Sequence, residues 1–337
     1  MTDANPILAE MVRGNWVENR YRGAFAVVDA DGRIIASAGD ISRPIFPRSA
    51  VKSMQALAMV TADSIGRFSL SDEDLALACA SHRGEDVHVE GVTHFLEELG
   101  LSKDDLECGA HAPGDSEARR QLRERHEAPS ALHNNCSGKH SGMLSVALAI
   151  GAPTLGYVNR DHPVQVRVRS AIEAVIGERL TEGRCGTDGC SIPTWAAPIE
   201  AFARGFARMA TGKGLPPDLA AGAQRIFDAA TRHPHLVAGK EQLDTVVMEA
   251  FGGRVMQKGG AEGVQCGAIR DKGWGYAIKC DDGNMDASRA MVAALLLAIA
   301  DPDEKQAEVL RRWSVQTVKN VRGLDVGTVR AVEGVWA

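Results

Sequence analysis

The 337-residue sequence has no long apolar run, no basic stripe and no paired-cysteine framework, and each absence removes a class of function. Its most apolar stretch, Met291 to Ala300, is too short to span a bilayer and reads as a buried helix, so no membrane role is expected. No Lys/Arg run extends beyond a few residues and the net charge is −6, which argues against a nucleic-acid partner. The start, Met1-Thr2-Asp3-Ala4-Asn5-Pro6, has no basic segment followed by an apolar one. No signal peptide is therefore expected, and a cytoplasmic location is. The seven cysteines are Cys79, Cys108, Cys136, Cys185, Cys190, Cys266 and Cys280. An odd count with no Cys-x-x-Cys pair predicts reduced thiols, some buried and some available as metal ligands. No internal repeat is visible. No G-x-G-x-x-G follows a strand, which disfavours a dinucleotide-binding fold.

What remains is ordinary globular material, 45% hydrophobic and 24% charged. Two apolar arms, Ala24 to Val28 and Ile34 to Ala38, flank Asp29-Ala30-Asp31-Gly32 and predict a β-hairpin. A helix is expected from Ser49 through Met59, with Pro47 just ahead of it. Ser71 with Asp74 three residues on predicts a capped helix ending near Ser81. Further helical spacing covers Val87 to Leu99, Lys139 to Ile150, Pro163 to Ile176, Pro198 to Ala210, Pro216 to Thr231 and Lys240 to Ala250. Gly263 to Ile269 and Gly275 to Cys280 flank Asp271-Lys272-Gly273 as a second hairpin, and Thr328 to Val332 is a candidate last strand. Short-linked hairpins make antiparallel pairs. The expectation is an α+β fold: one antiparallel sheet flanked by helices, with a helical lobe at about 49–250 between its halves in sequence, all in a single domain over 1–337.

Three polar segments are candidates for chemistry. In Arg48-Ser49-Ala50-Val51-Lys52-Ser53, Ser49 and Lys52 share a face at a helix start. A serine hydroxyl needs a base to become a nucleophile, and a lysine serves once its pKa is lowered. A lone Ser-x-x-Lys is expected about once by chance in a chain of this composition. A partial partner is Lys258-Gly259-Gly260 ahead of the late hairpin, which lacks the hydroxyl residue of the K-[ST]-G element. The order of elements resembles the serine β-lactamase and glutaminase fold. The second segment, His133-Asn134-Asn135-Cys136-Ser137-Gly138-Lys139-His140, reads as a polar pocket wall. Cys136 with Cys190 is a candidate soft-metal pair, a nucleophilic Cys136 with His133 or His140 is another reading, and an inert buried thiol is a third. The third segment is Ala80-Ser81-His82-Arg83-Gly84-Glu85. Here Arg83 and Glu85 offer one partner for each end of an amino-acid zwitterion, and a solvated helix end is an equal reading.

Taken together, these segments with Asp188-Gly189-Cys190 and Lys258-Gly259-Gly260-Ala261-Glu262-Gly263 resemble the asparaginase II family, the class 3 or rhizobial-type L-asparaginases. The resemblance runs over nearly the whole chain. It implies hydrolysis of L-asparagine to L-aspartate and ammonia by a homodimer with a β-lactamase-like fold. It implies Ser49 as nucleophile with Lys52 as base, and Ser81 with Lys258 as a second serine–lysine pair. It implies one Zn²⁺ per subunit held by Cys136, Lys139 and Cys190, with Asp188 and His140 supporting the ligands. Arg48, Arg83, Glu85, Asn134 and Gly259 are the expected substrate-binding positions. Alternatives are a glutaminase or penicillin-recognising hydrolase of the same fold, a non-catalytic amino-acid or zinc-binding protein, and a thiol enzyme built on Cys136.

Overall fold

The computed structural model describes residues 4–336, so Met1, Thr2, Asp3 and Ala337 lie outside the described residues. The chain divides into two compact units, one of Met1–Val51, Ala196–Lys213 and Val246–Ala337 and one of Lys52–Trp195 and Gly214–Thr245.

The first unit is built on an eight-stranded antiparallel sheet. Its path runs Val315–Lys319, Asp325–Ala331, Ile7–Arg13, Trp16–Asp29, Trp274–Cys280, Val264–Ile269, Val255–Gly260, and Ile34–Ala38 pairs with Trp16–Asp29 off this path. The 14-residue strand Trp16–Asp29 is the hinge of the topology. Its first half pairs with Ile7–Arg13, and its second half with both Ile34–Ala38 and Trp274–Cys280. Burial follows that division. Ala24 to Val28 is buried throughout, as strands covered on both faces are, whereas Trp16 to Arg20 is open.

Both expected hairpins are present, at Trp16–Asp29/Ile34–Ala38 and Val264–Ile269/Trp274–Cys280. The helix Ile199–Thr211, placed by its sequence position in the helical middle, belongs instead to the sheet unit. Phe202, Ala203, Phe206 and Ala207 form its buried stripe, the i, i+3, i+4 pattern of a helix laid on a sheet. The approach is close: a Cβ on Gly275 would run into the Ala203 carbonyl.

The second unit is helical. Its main elements are Lys52–Thr61, Asp72–Ala78, Asp86–Glu98, Ser116–Glu124, Ser137–Ile150, Pro163–Ile176 and Pro217–Arg232, with one small hairpin, Cys185–Thr187 with Pro193–Trp195. Ser71 caps Asp72–Ala78 through a full capping box with Asp74, as its spacing predicts. Helix Ser137–Ile150 packs tightly at two glycines. A Cβ at Gly138 would meet the Leu77 carbonyl, and one at Gly142 would lie 3.0 Å from Met59 Sδ. No helix among the described residues is long and apolar enough to cross a membrane.

Candidate active site

Ser49 lies in a 3₁₀ turn, Arg48–Val51, not in the α-helix the spacing predicts; the α-helix begins at Lys52. The turn opens with Arg48 at φ 52°, a left-handed conformation that costs a non-glycine residue about 1–3 kcal/mol. Strained backbone of this kind persists where its surroundings hold it. Here the sheet strand Val255–Gly260 does so: a Cβ on Gly260 would stand 2.6 Å from the Pro47 carbonyl and 2.9 Å from the Ala50 nitrogen. Only glycine lets the strand end press against the turn. That strand also carries Lys258, which is 1% exposed and donates from Nζ to the Gly259 carbonyl at 2.8 Å. What reads in sequence as a glycine loop is therefore a buried strand, and it brings Lys258 and Gly259 to the same part of the sheet unit as the Ser49 turn.

In the helical unit, Lys52 is buried, and two carbonyls and a hydroxyl are among the acceptors around its amine. Nζ donates to the Ala80 carbonyl at 2.5 Å, to Ser81 Oγ at 3.0 Å and to the Asn135 carbonyl at 3.2 Å. The second and third sequence segments thus meet at one lysine, and Ser81 is hydrogen-bonded to Lys52, a pairing the sequence reading missed. Asn134 is buried and turned to the backbone. Its Oδ1 accepts from the Cys136 N–H at 2.9 Å and its Nδ2 donates to the carbonyls of Cys108 and Gly109.

Beside Lys52 sit the three implied metal ligands. Cys136, Lys139 and Cys190 are all at most 5% exposed. Lys139 Nζ donates to Cys190 Sγ at 2.8 Å, and the Cys136 thiol donates to Asn135 Oδ1 at 3.2 Å. The interaction with Cys190 holds the Cys136 thiol well below its ordinary range against the opposing effect of burial, with Lys139 and Lys52 adding to the depression. The interaction with Cys136 and burial push the Cys190 thiol the other way, up. Burial works against the Lys139 ammonium, but the two sulfurs and Asp188 outweigh it and the net direction is up. Two sulfurs and an amine converging in a dry place fit a borderline-soft metal such as zinc. The cluster needs a positive charge, which the ammonium supplies here and a bound metal would supply after Lys139 loses a proton.

Asp188 accepts from the Gly189 N–H at 2.7 Å and shapes the loop that carries Cys190. His140 is fully buried, with Nδ1 2.6 Å from the Tyr157 hydroxyl, which in turn accepts from the Glu107 N–H. Burial first, then Lys139 and Lys52, hold His140 well below its ordinary pKa, so it is a neutral ring. Arg83 donates to the Gly114 carbonyl and to Gln242 Oε1, and Glu85 accepts from His235 Nε2 at 2.9 Å and from the Lys240 N–H at 3.0 Å. These two charges are engaged with protein groups from elsewhere in the helical unit. His88 and His235, which gather at Glu85, were not among the expected site residues. The spacing Glu85-x-x-His88 at a helix start was the only local signal for them.

A family model described as L-asparaginase II matches residues 9–331. Among solved structures, the chain is similar to a protein named Mglu, at 14% identity and a TM-score of 0.45, with 84% of this chain and 69% of that one covered. Against another Mglu structure, determined in 4.3 M NaCl, it covers 60% of that chain. It is also similar to a β-lactamase from Mycobacterium bovis, at 15% identity and a TM-score of 0.43, over 82% of this chain and 94% of that one. No curated protein sequence matches the chain at a significant level.

Proposed function

The chain belongs to the L-asparaginase II family, and from that premise we propose that it hydrolyses L-asparagine to L-aspartate and ammonia through an acyl-enzyme on Ser49. The observation that carries the catalytic reading is the burial of Lys52 with its amine held on Ser81 and on two carbonyls. A lysine base must be able to discharge its proton, and a dry setting makes the charged form easier to give up.

As the neutral amine, Lys52 takes the proton of Ser49 Oγ while that oxygen attacks the side-chain amide carbon. Backbone N–H groups of the turn Arg48–Val51 steady the oxyanion. The C–N bond breaks, ammonia leaves with the proton returned from Lys52, and an aspartyl ester remains on Ser49. Water, deprotonated by the same amine, then hydrolyses the ester and restores the serine. Ser81, already bonded to Lys52, hands protons on, and Lys258 supplies the second amine of this relay. Arg48, Arg83, Glu85, Asn134 and Gly259 remain the proposed substrate-binding set.

Zinc bound by Cys136, Lys139 and Cys190 would supply a fixed positive centre that shapes the pocket wall. The nucleophile is already provided by serine, so no water need be activated there. The resemblance also carries a homodimer in the cytoplasm, which sedimentation of the purified chain and fractionation of cells test separately.

Ammonia release measured side by side from L-asparagine, L-glutamine and a β-lactam tests the substrate. The expected order is asparagine first by a wide margin, because a polar site built for one chain length leaves groups unpaired with a longer one. Faster turnover of glutamine would make the chain a glutaminase. No ammonia from any amide would leave it a binding protein.

A further inference from the structure

A second set of ligands stands in the helical unit, apart from the thiols. Glu85, His88 and His235 each offer a donor atom, and the three atoms lie within 4.8 Å of one another. His88 carries the argument. Its side chain is fully buried, and its Nε2 lies 2.9 Å from the His235 carbonyl oxygen. A carbonyl only accepts, so Nε2 holds the proton and Nδ1 is left with a bare lone pair. That Nδ1 has no hydrogen-bond partner among the described residues and faces Glu85 Oε1 at 4.0 Å. A fully buried acceptor and a partly buried carboxylate oxygen therefore face each other across a gap too wide for a hydrogen bond. Such a pair calls for a cation between them.

The surroundings are built for this placement. Gly239 makes room for the carboxylate, since a Cβ there would lie 2.5 Å from Glu85 Oε1. The Lys240 N–H fixes the Glu85 carboxylate from outside, and the His235 carbonyl fixes the ring of His88, the arrangement that orients metal-bound imidazoles. His82 stacks on the far face of His88 at 5.0 Å and 11°. It accepts the Gly84 N–H at Nδ1 and faces Ser137 Oγ through Nε2, so it is neutral and leaves the pair its charge requirement. His235 is 43% exposed, which gives an ion a way in.

We propose that Glu85, His88 and His235 form a second metal site, for a divalent transition ion of the zinc class. Two imidazoles and one carboxylate suit zinc over calcium or magnesium, which take all-oxygen sets. Ligands on a tetrahedron with bonds of about 2.0 Å stand about 3.3 Å apart. The 2.9 Å from His235 Nε2 to Glu85 Oε2 and the 4.0 Å from His88 Nδ1 to Glu85 Oε1 straddle that value. On binding, His235 coordinates through Nε2 and its proton moves to the Nδ1 side of the ring, so the imidazole stays neutral. Water fills the fourth position. The ion ties Glu85, at the start of helix Asp86–Glu98, to the segment Pro234–Ala238. That segment already accepts the Ser81 N–H at the Val237 carbonyl, so the metal braces the strand of chain that carries Ser81.

Glu85 is shared with the proposed substrate-binding set, so the test reads metal content rather than turnover, in protein whose thiol cluster has been removed. Full-length Cys136→Ser/Cys190→Ser protein is dialysed against Zn²⁺ and its zinc content measured. About one zinc per chain is expected to remain, and adding His235→Ala is expected to weaken it by about 10-fold or more. His235 is half-exposed, so that change leaves the core packing alone; Glu85→Gln, which keeps the side-chain shape, provides a second route to the same loss. Cobalt in the thiol-free protein should show a spectrum without a thiolate charge-transfer band. Zinc binding that is absent in the thiol-free protein, or unchanged by both His235→Ala and Glu85→Gln, overturns the proposal.

Discussion

Gly260 governs how the Ser49 turn is held. A Cβ added there would stand only 2.6 Å from the Pro47 carbonyl oxygen. Gly260→Ala should push the turn off its position, cutting kcat by about 100-fold while lowering stability by about 1–3 kcal/mol. Steady-state kinetics with denaturant unfolding of the same sample separates the two effects. Ser81→Ala removes a hydroxyl from Lys52 but leaves the amine its two carbonyls. It should lower kcat by about 10²-fold with KM little changed, as loss of a proton-transfer partner does. Equal loss in KM alone would mean that Ser81 only binds substrate. At this scale the sequence shows Ser49, Lys52 and Ser81 as residue types in suggestive company, because local spacing is visible in a string. That the Ser81 hydroxyl bonds to Lys52, or that His235 reaches Glu85 from 150 positions away, is a product of long-range packing that no local pattern records.

Helix Ile199–Thr211 is the clearest case where position in the chain misleads. Its helical period is plain in the sequence, but which layer it covers depends on Gly275, a residue more than 60 positions on with no side chain to obstruct it. Gly275→Ala should drive a methyl into the Ala203 carbonyl and lower stability by about 3 kcal/mol or more, read as a fall in the urea midpoint. By contrast, Ser71→Ala should cost about 1 kcal/mol, since the capping box it breaks is local. The hairpins were legible because apolar alternation and Asp/Gly turns are local signals. The strands Ile7–Arg13, Val255–Gly260 and Val315–Lys319 were not. Val255–Gly260 ends in a Lys-Gly-Gly run that reads as loop, and it is held as a strand by pairing along Val264–Ile269. Helices Ser116–Glu124 and Glu304–Ser314 escaped notice because their exposed faces are nearly all charged, which thins the apolar period.

At the scale of the whole molecule, the expected α+β architecture is what the described residues form, with one large antiparallel sheet and, beyond the single sheet expected, two two-stranded pairs, Pro44–Ile45 with Ala197–Pro198 and Cys185–Thr187 with Pro193–Trp195. The sequence order of hairpin, helices, hairpin was readable, but the chain returns to the sheet unit at 196–213 before leaving it again, and that interleaving is set by packing alone. If zinc occupies the thiol cluster, a chelator should lower the melting temperature by several degrees, because a ligand bound only to the folded state stabilises it. Cys136→Ser should abolish that part of the shift. The central claim is that Ser49 carries the acyl group. Rapid quenching of the enzyme with L-asparagine, followed by peptide mass analysis, tests it directly. An aspartyl ester on Ser49 is predicted, lost in Ser49→Ala together with at least about 10³-fold of the ammonia release. An adduct on Ser81 or Cys136 instead, or undiminished turnover by Ser49→Ala, would contradict it.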